Sequence, residues 1–258
     1  MRAVILAGGK GTRLAPFTAV IPKPLIPVSG MPILEIILRQ LRLHGFDDIV
    51  LCVGYLPQLI SAYFGDGRAF GVKITYVTEE TPLGTAGPLA LVPQARHPIL
   101  VMNADVLSSV SYSDLFAHHR DTDAALTISL HTKQVKLDLG VLTVGDSSRI
   151  VEYREKPSFE YKVSMGVYVV SPRVHAMIRQ SRERVDFPDL VSRLIGAHHS
   201  ISAYTFNGYW LDIGRPAEYE QACADFERLR DLFFADPRVR VAEESTTPVL
   251  GAPAVAAG

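Results

Sequence analysis

Between residues 6 and 14 the chain reads Leu6-Ala7-Gly8-Gly9-Lys10-Gly11-Thr12-Arg13-Leu14, a glycine-rich loop set directly after an apolar run. Glycines leave backbone N–H groups bare, so such a loop can close around the oxygens of a phosphate chain. Arg13 adds a forked cation suited to phosphate. Downstream, Lys23 stands between two prolines in Ile21-Pro22-Lys23-Pro24-Leu25-Ile26-Pro27. The prolines fix the backbone on either side of the lysine, which can aim a second point charge at the same phosphates. Taken singly, the loop also fits a strand-to-helix turn without a ligand, and the framed lysine a rigid surface linker. Two better-known phosphate motifs do not fit. A P-loop needs four residues between its first glycine and Gly-Lys-[Ser/Thr], and a dinucleotide fingerprint needs glycine where Leu14 stands. The adjacent pairs His118-His119 and His198-His199 point in different directions and do not chelate. There is no Gly-x-Ser-x-Gly elbow, and neither Cys52 nor Cys223 lies in a nucleophile motif.

The elements that must position these residues are legible in the apolar pattern. Ala3 to Ala7 is continuously apolar and suits a strand buried on both faces of a mostly parallel sheet. Ile33, Ile37 and Leu41, with Leu34 and Leu38, form one stripe on a helix ending near Gly45. Ile49 to Val53, Lys73 to Val77 and Pro98 to Asn103 read as strands, and Thr85 to Ala95 as a short helix with Pro88 in its first turn. This alternation predicts an α/β fold, with ligands in the crevice beyond the carboxyl ends of the strands. From residue 124 the pattern changes. Leu126-Thr127-Ile128-Ser129-Leu130 alternates as a strand with one wet face does, so the sheet is expected to become mixed there. Ile150 to Arg154 and Val163 to Val170 read as strands, and Phe187 to Ile195 and Pro216 to Phe234 as helices. Residues 1–235 are expected to form a single domain. The composition of 236–258, without period, suggests a poorly ordered tail.

With 26 Lys plus Arg against 27 Asp plus Glu, the net charge is −1, which gives no excess of basic charge for a nucleic-acid backbone. Two distant cysteines build no disulfide framework, and Ala3 to Ala7 is too short for a signal-peptide core or a membrane span. A soluble, cytoplasmic protein is the expectation.

Leu6 to Leu14, Pro22-Lys23-Pro24-Leu25 and Gly30-Met31-Pro32-Ile33 together resemble the signature of the sugar-1-phosphate nucleotidylyltransferases, which make nucleotide sugars. With Pro82-Leu83-Gly84-Thr85-Ala86-Gly87, the pattern looks most like the mannose-1-phosphate guanylyltransferase branch, and it covers about residues 1 to 230. The resemblance implies a nucleotide-diphospho-sugar transferase fold, a Rossmann-like mixed sheet flanked by helices. It implies that Leu6, Ala7, Gly8, Gly9, Gly11 and Thr12, with Glu79, Pro82, Gly84, Thr85 and Asn103, cradle the nucleotide, while Arg13 and Lys23 hold its phosphates. Asp105 matches the family aspartate that binds Mg²⁺, a cation that prefers carboxylate and phosphate oxygens. Asp212, in Tyr209-Trp210-Leu211-Asp212, matches the second metal ligand. For the sugar phosphate, Gly140, Glu155, Lys156, Ser164 and Trp210 are the matching positions. Ser164 departs from the asparagine common in the guanylyltransferases, which points to a heptose, glucose or sugar-like cyclitol phosphate beside mannose. The left-handed β-helix that many relatives carry after the catalytic domain finds no short-period repeat here.

The implied reaction is an in-line attack of a sugar 1-phosphate oxygen on the α-phosphorus of a nucleoside triphosphate, GTP by preference, releasing pyrophosphate. Thymidylyl-, cytidylyl- and adenylyltransferases share the catalytic motifs. A nucleotide-sugar-sensing subunit without activity is the rival reading, although such a chain is free to lose the charged residues that stand here. Relatives of this kind are usually dimers or tetramers, so a homo-oligomer is expected.

Overall fold

The computed structural model describes residues 1–181 and 183–235, so the tail expected over 236–258 lies outside the described residues. Strand β1 (Arg2–Ala7) is followed by single-turn 3-10 segments (Thr12–Leu14, Phe17–Ala19, Lys23–Leu25) and a small hairpin of β2 (Pro27–Val28) and β3 (Met31–Pro32). Then come α1 (Ile33–Leu43), β4 (Asp48–Val53), α2 (Pro57–Phe64), β5 (Lys73–Thr78), β6 (Ile99–Asn103), β7 (Val106–Ser108) and α3 (Tyr112–Thr122). The second half runs β8 (Leu126–Lys136), β9 (Val141–Val144), β10 (Ile150–Arg154), β11 (Ser158–Val170), α4 (Pro172–Ser181) and α5 (Phe187–Gly196). It closes with β12 (Ile201–Phe206), β13 (Trp210–Asp212) and α6 (Pro216–Phe234).

A seven-stranded sheet in the order β12-β8-β11-β6-β1-β4-β5 carries the molecule. β1 lies parallel to β4 and β6, and β4 parallel to β5, as the alternation of strands and helices predicts. The sheet turns mixed at β11, which runs antiparallel to both β6 and β8. Successive residues of β1 serve opposite faces: Ala3 and Ile5 join the core under α1 and α6, whereas Val4 joins the core under α4 and α5. This is the reason for the unbroken apolar run, because a strand covered on both sides has no wet face. The stripe of α1 is fully buried from Ile33 to Leu41, and Ala222 and Phe226 of α6 pack into the same core. Each such large side chain contributes roughly 2–3 kcal/mol by burial.

Two expectations from the pattern need correction. Only Gly87–Leu91 of the segment 85–95 is helical, as a 3-10 turn, and Val92 is already extended. Pro93 follows it and disfavours the helical conformation at the residue before, which ends the turn. The supposed wet face of Leu126–Leu130 is also covered: Thr127 and Ser129 are fully buried. Their hydroxyls are satisfied internally, Thr127 Oγ1 lying 2.8 Å from His119 Nδ1 and Ser129 Oγ donating to Val167 O at 2.7 Å. Helices α2, α3 and α4 and the strands β7, β12 and β13 have too few periodic apolar residues to be read from sequence. Beyond Leu130, β8 and β11 leave the core as a two-stranded arm joined by the β9–β10 pair.

Two buried histidines tie stability to pH. Nε2 of His175 lies 3.0 Å from Leu89 O and its Nδ1 accepts from Ala95 N at 3.3 Å, so both ring nitrogens are engaged by the neutral form. Burial, with Arg179 and Arg2 nearby, holds its pKa below the usual 6.5, and burial with Arg173 does the same for His119. The unfolded chain therefore binds protons in a range where the folded chain does not, and stability is complete above about pH 6.5 and falls below it. Urea midpoints measured between pH 8 and pH 5 are expected to drop below pH 6.5, with a shallower drop in His175→Gln; identical slopes would contradict the assignment.

Candidate active site

The strand ends decide where a ligand can sit. β1, β4, β5 and β6 all finish on one edge of the sheet, and a cleft of about 760 Å³ opens there. It is lined by the loop Leu6–Arg13, by Lys23, Gly54, Glu79, Pro82, Gly84 and Thr85, and by Asn103 and Asp105. This is the crevice where open α/β sheets bind their ligands. Gly8 lies close against Glu79: a Cβ there would come 2.5 Å from Glu79 Oε1, so the carboxylate would have to shift. Gly54, which follows β4 as Gly8 follows β1, is equally close-packed, and a Cβ on it would lie 2.9 Å from Gly8 O. The sequence reading missed Gly54, although its place at the end of an apolar strand was a usable signal. It also missed Arg184, which enters the cleft from a loop with no pattern of its own.

Glu79 is fixed by its neighbours. Its N–H donates to Val53 O at 3.1 Å, and its Oε2 accepts from Leu83 N at 3.0 Å. Burial pushes its carboxyl above the ordinary range, partly offset by the Leu83 hydrogen bond. At the other end of the cleft, Ala104 N donates to Leu6 O at 3.1 Å, which ties the turn after β6 to β1. Asp105 on that turn forms an ion pair with Lys23, whose side chain is only 11% exposed. The second carboxylate oxygen, Asp105 Oδ1, is buried and has no partner.

Asp212 reaches this point from a distant stretch of sequence. β13 pairs antiparallel with β7, setting Asp212 opposite Val106, and Ile213 N donates to Asp105 O at 3.0 Å. The carboxyl of Asp212 keeps contact with solvent, yet its pKa is raised, first by partial desolvation and next by the charge of Asp105. Lys23 and Arg13 act in the opposite sense. The guanidinium of Arg13 lies against Gly214, where an added Cβ would come 3.2 Å from Arg13 Nη2. Asp105 with its orphaned oxygen, Asp212 near it and, among the described residues, one ion pair from Lys23 to Asp105 form a donor set that suits a hard divalent cation. Among the described residues, no cluster of three or more His, Cys, Asp or Glu side chains is present, so such a cation would complete its shell with substrate oxygens and water.

The residues matched to the sugar phosphate fall into two groups outside the lining of this cleft. Gly140, Tyr153 and Glu155 meet on the arm, where Tyr153 OH donates to Glu155 and a Cβ on Gly140 would strike the Tyr153 hydroxyl. Lys156 follows, exposed and with φ +46. Ser164 and Trp210 meet at a bulge in β11, where pairing with β8 shifts register between Ser164 and Tyr168. Ser164 Oγ donates to Tyr168 OH at 3.1 Å and accepts from Gly166 N at 3.3 Å, and Trp210 Nε1 donates to Met165 O at 3.1 Å. Gly166, at φ +74, brings the bulge against Asn103: a Cβ there would lie 2.7 Å from Asn103 Nδ2. The bulge therefore joins the sugar-side residues to the wall of the cleft.

Partial desolvation, with the charge of Asp105 beside it, makes a stability prediction. The raised pKa of Asp212 means that folding penalises its ionised form. Asp212→Asn is expected to raise the urea midpoint of the metal-free protein at pH 7.5 while removing activity. A lower midpoint would show that the carboxylate is not under strain.

Comparisons with known proteins identify the family to which the chain belongs. A mannose-1-phosphate guanylyltransferase of Mycobacterium tuberculosis is 36% identical over 235 residues, covering 88% of this chain and 64% of the relative. A UTP–glucose-1-phosphate uridylyltransferase of Synechocystis is 34% identical, covering 86% and 62%. The chain thus spans less than two thirds of the length of these relatives. Among solved structures, HddC from Yersinia pseudotuberculosis, complexed with GMP-PN, superposes with a TM-score of 0.65 at 25% identity, covering 87% of this chain and 99% of that one. A glucose-1-phosphate thymidylyltransferase from Bacillus anthracis, described as putative, gives a TM-score of 0.69 at 23% identity, covering 87% and 94%, and shares the fold. The nucleotidyl transferase family model matches residues 2–228, and the chain belongs to that family.

Proposed function

We propose that this chain transfers a nucleotidyl group from a nucleoside triphosphate to a sugar 1-phosphate. The observation that carries the reading is the meeting of Asp105 and Asp212, beside Lys23 and Arg13, at the end of a glycine-lined cleft. A sugar-phosphate oxygen forms a bond to the α-phosphorus, the bond to the β-phosphate oxygen breaks, and pyrophosphate leaves. The attacking phosphate is ionised near pH 7, so no protein base is required. What the protein must overcome is the repulsion between two anions, and it does so by positioning and by fixed charge.

The loop Gly8–Thr12 presents N–H groups to the phosphates, and Arg13 offers a planar fork beside them. Lys23 leaves Asp105 for a phosphate oxygen when the nucleotide enters, which exchanges one ion pair for another at little net cost. Asp105 and Asp212 would hold one Mg²⁺, which would supply charge neutralisation to the reacting phosphates. Lys156 and Glu155 on the arm bind the phosphate and hydroxyls of the sugar.

GTP is the triphosphate the base end of the cleft favours. Glu79 offers acceptors only, and guanine presents adjacent N1–H and N2–H donors to match them. Uracil and thymine present a single N3–H there, and adenine and cytosine place an acceptor at that position. The GMP-PN complex of HddC and the guanylyltransferase names among the relatives support the same base. On the sugar side, the Ser164 hydroxyl already donates to Tyr168 and accepts from Gly166 N, which leaves it no free donor where an asparagine amide offers two. Mannose, heptose, glucose and sugar-like cyclitol phosphates are the candidates. The sensing-subunit reading requires no charged site, yet all five charged positions, Arg13, Lys23, Asp105, Lys156 and Asp212, are occupied.

Pyrophosphate release with Mg²⁺ across GTP, ATP, CTP, UTP and dTTP and these sugar phosphates is expected to require GTP and one sugar phosphate together. Nucleotide-sugar binding with no release from any pair would favour the sensing subunit. Lys156→Ala is expected to raise the KM for the sugar phosphate at least tenfold and leave that for the triphosphate within about twofold. Equal rises in both would remove Lys156 from the sugar-phosphate site.

A further inference from the structure

Arg184 is a cation on the cleft wall that the phosphate chemistry does not use. It lies on the segment between α4 and α5, and this segment is bonded edge to edge with the loop that carries Pro82, Gly84 and Thr85. Val185 N donates to Leu83 O at 2.9 Å, and Val185 O accepts from Ala86 N and Gly87 N at 3.0 Å. Phe187 N donates to Thr85 Oγ1 at 2.9 Å. Asp186 binds both parts: its Oδ1 accepts from Thr85 N at 2.8 Å and its Oδ2 lies 3.4 Å from Arg184 Nη2. The guanidinium is thus tethered to the same rigid piece that shapes the base end of the cleft. It lines the cleft with Glu79, Pro82, Gly84 and Thr85, and its side chain is 69% exposed.

An arginine fork carries five N–H donors and no acceptor, and the pair with Asp186 engages one terminal nitrogen. Its match on a nucleobase is an edge with two adjacent acceptors. Guanine has such an edge in O6 and N7 and keeps N1–H and N2–H for Glu79; adenine places an amino group beside N7, uracil and thymine have no two adjacent acceptors, and cytosine, whose N3 and O2 are adjacent, has no ring N–H to offer Glu79. We propose that Arg184 is a specificity-determining residue that donates to the O6 and N7 edge of guanine, while Glu79 accepts from N1–H and N2–H. The inference rests on the guanine nucleotide reading given above. Asp186 accepts from the Thr85 backbone and lies beside the fork, so it links the two segments at this point of the cleft wall.

The test is calorimetric binding of GTP and of 7-deaza-GTP, which lacks the N7 acceptor, to the full chain with Mg²⁺. The unsubstituted protein is expected to bind 7-deaza-GTP about tenfold more weakly than GTP, the value of one charge-assisted hydrogen bond. In Arg184→Ala, GTP binding is expected to weaken at least tenfold, 7-deaza-GTP much less, and their ratio to fall to about one. Arg184→Lys is expected to keep part of the GTP affinity through O6 alone. Equal losses for both nucleotides would overturn the proposal, since a phosphate contact or a structural role weakens both alike. An unchanged ratio in Arg184→Ala would overturn it too. Tighter binding of UTP or dTTP than GTP by the unsubstituted protein would overturn the guanine reading itself, and that outcome is separate from the other two.

Discussion

Two carboxylates held beside one another repel, and the short ladder between β7 and β13 imposes that arrangement on Asp105 and Asp212. The backbone bond from Ile213 N to Asp105 O leaves neither residue free to swing away. Among the described residues, only Lys23 forms an ion pair within the cluster, and it engages one oxygen of Asp105. A protein folded for stability alone would place neutral side chains here. The strain is the kind that functional sites retain and the surrounding core must outweigh. That core is supplied on both faces of the sheet, by α1 and α6 on one side and α4 and α5 on the other.

The remaining parts of the site follow from the sheet. Four parallel strand ends bring the glycine loop, Gly54, Glu79 and Asn103 to one edge, because a parallel sheet points all its carboxyl ends the same way. The reversal at β11 gives a different service. It sends a long strand out of the core as an arm and bulges at Met165–Val167, where Trp210 and Ser129 hold the displaced carbonyls. The residues proposed for the nucleotide are thus built into the sheet, and those proposed for the sugar phosphate lie on the arm and its bulge. This division suits a family in which the phosphate chemistry is common and the sugar varies.

The strands around the cleft were legible in the sequence because burial on both faces leaves unbroken apolar runs, as in Ala3–Ala7 and Ile49–Val53. Helix α6 was legible from its stripe and from Pro216 at its start. The segment 85–95 was misread because its apolar content mimics a helix while Pro93 limits its length. Leu126–Leu130 was misread because alternation of polar and apolar residues looks the same whether the polar face meets water or internal partners such as His119 and Val167. In the site, Arg13 and Lys23 were readable from local chemistry, whereas Asp212 was identified only by resemblance, since no local signal shows that residue 212 pairs with the turn after β6. Arg184 had no signal at all: its place depends on backbone bonds between two irregular segments.

The central claim is that Asp105 and Asp212 jointly hold one divalent cation with the triphosphate. Electron paramagnetic resonance of Mn²⁺, titrated into the protein with a non-hydrolysable GTP analogue, measures that directly. One protein-dependent Mn²⁺ site is predicted, weakened at least tenfold in either Asp105→Asn or Asp212→Asn. Binding unchanged in both variants would show that the cation is carried by the nucleotide alone, and would contradict the account.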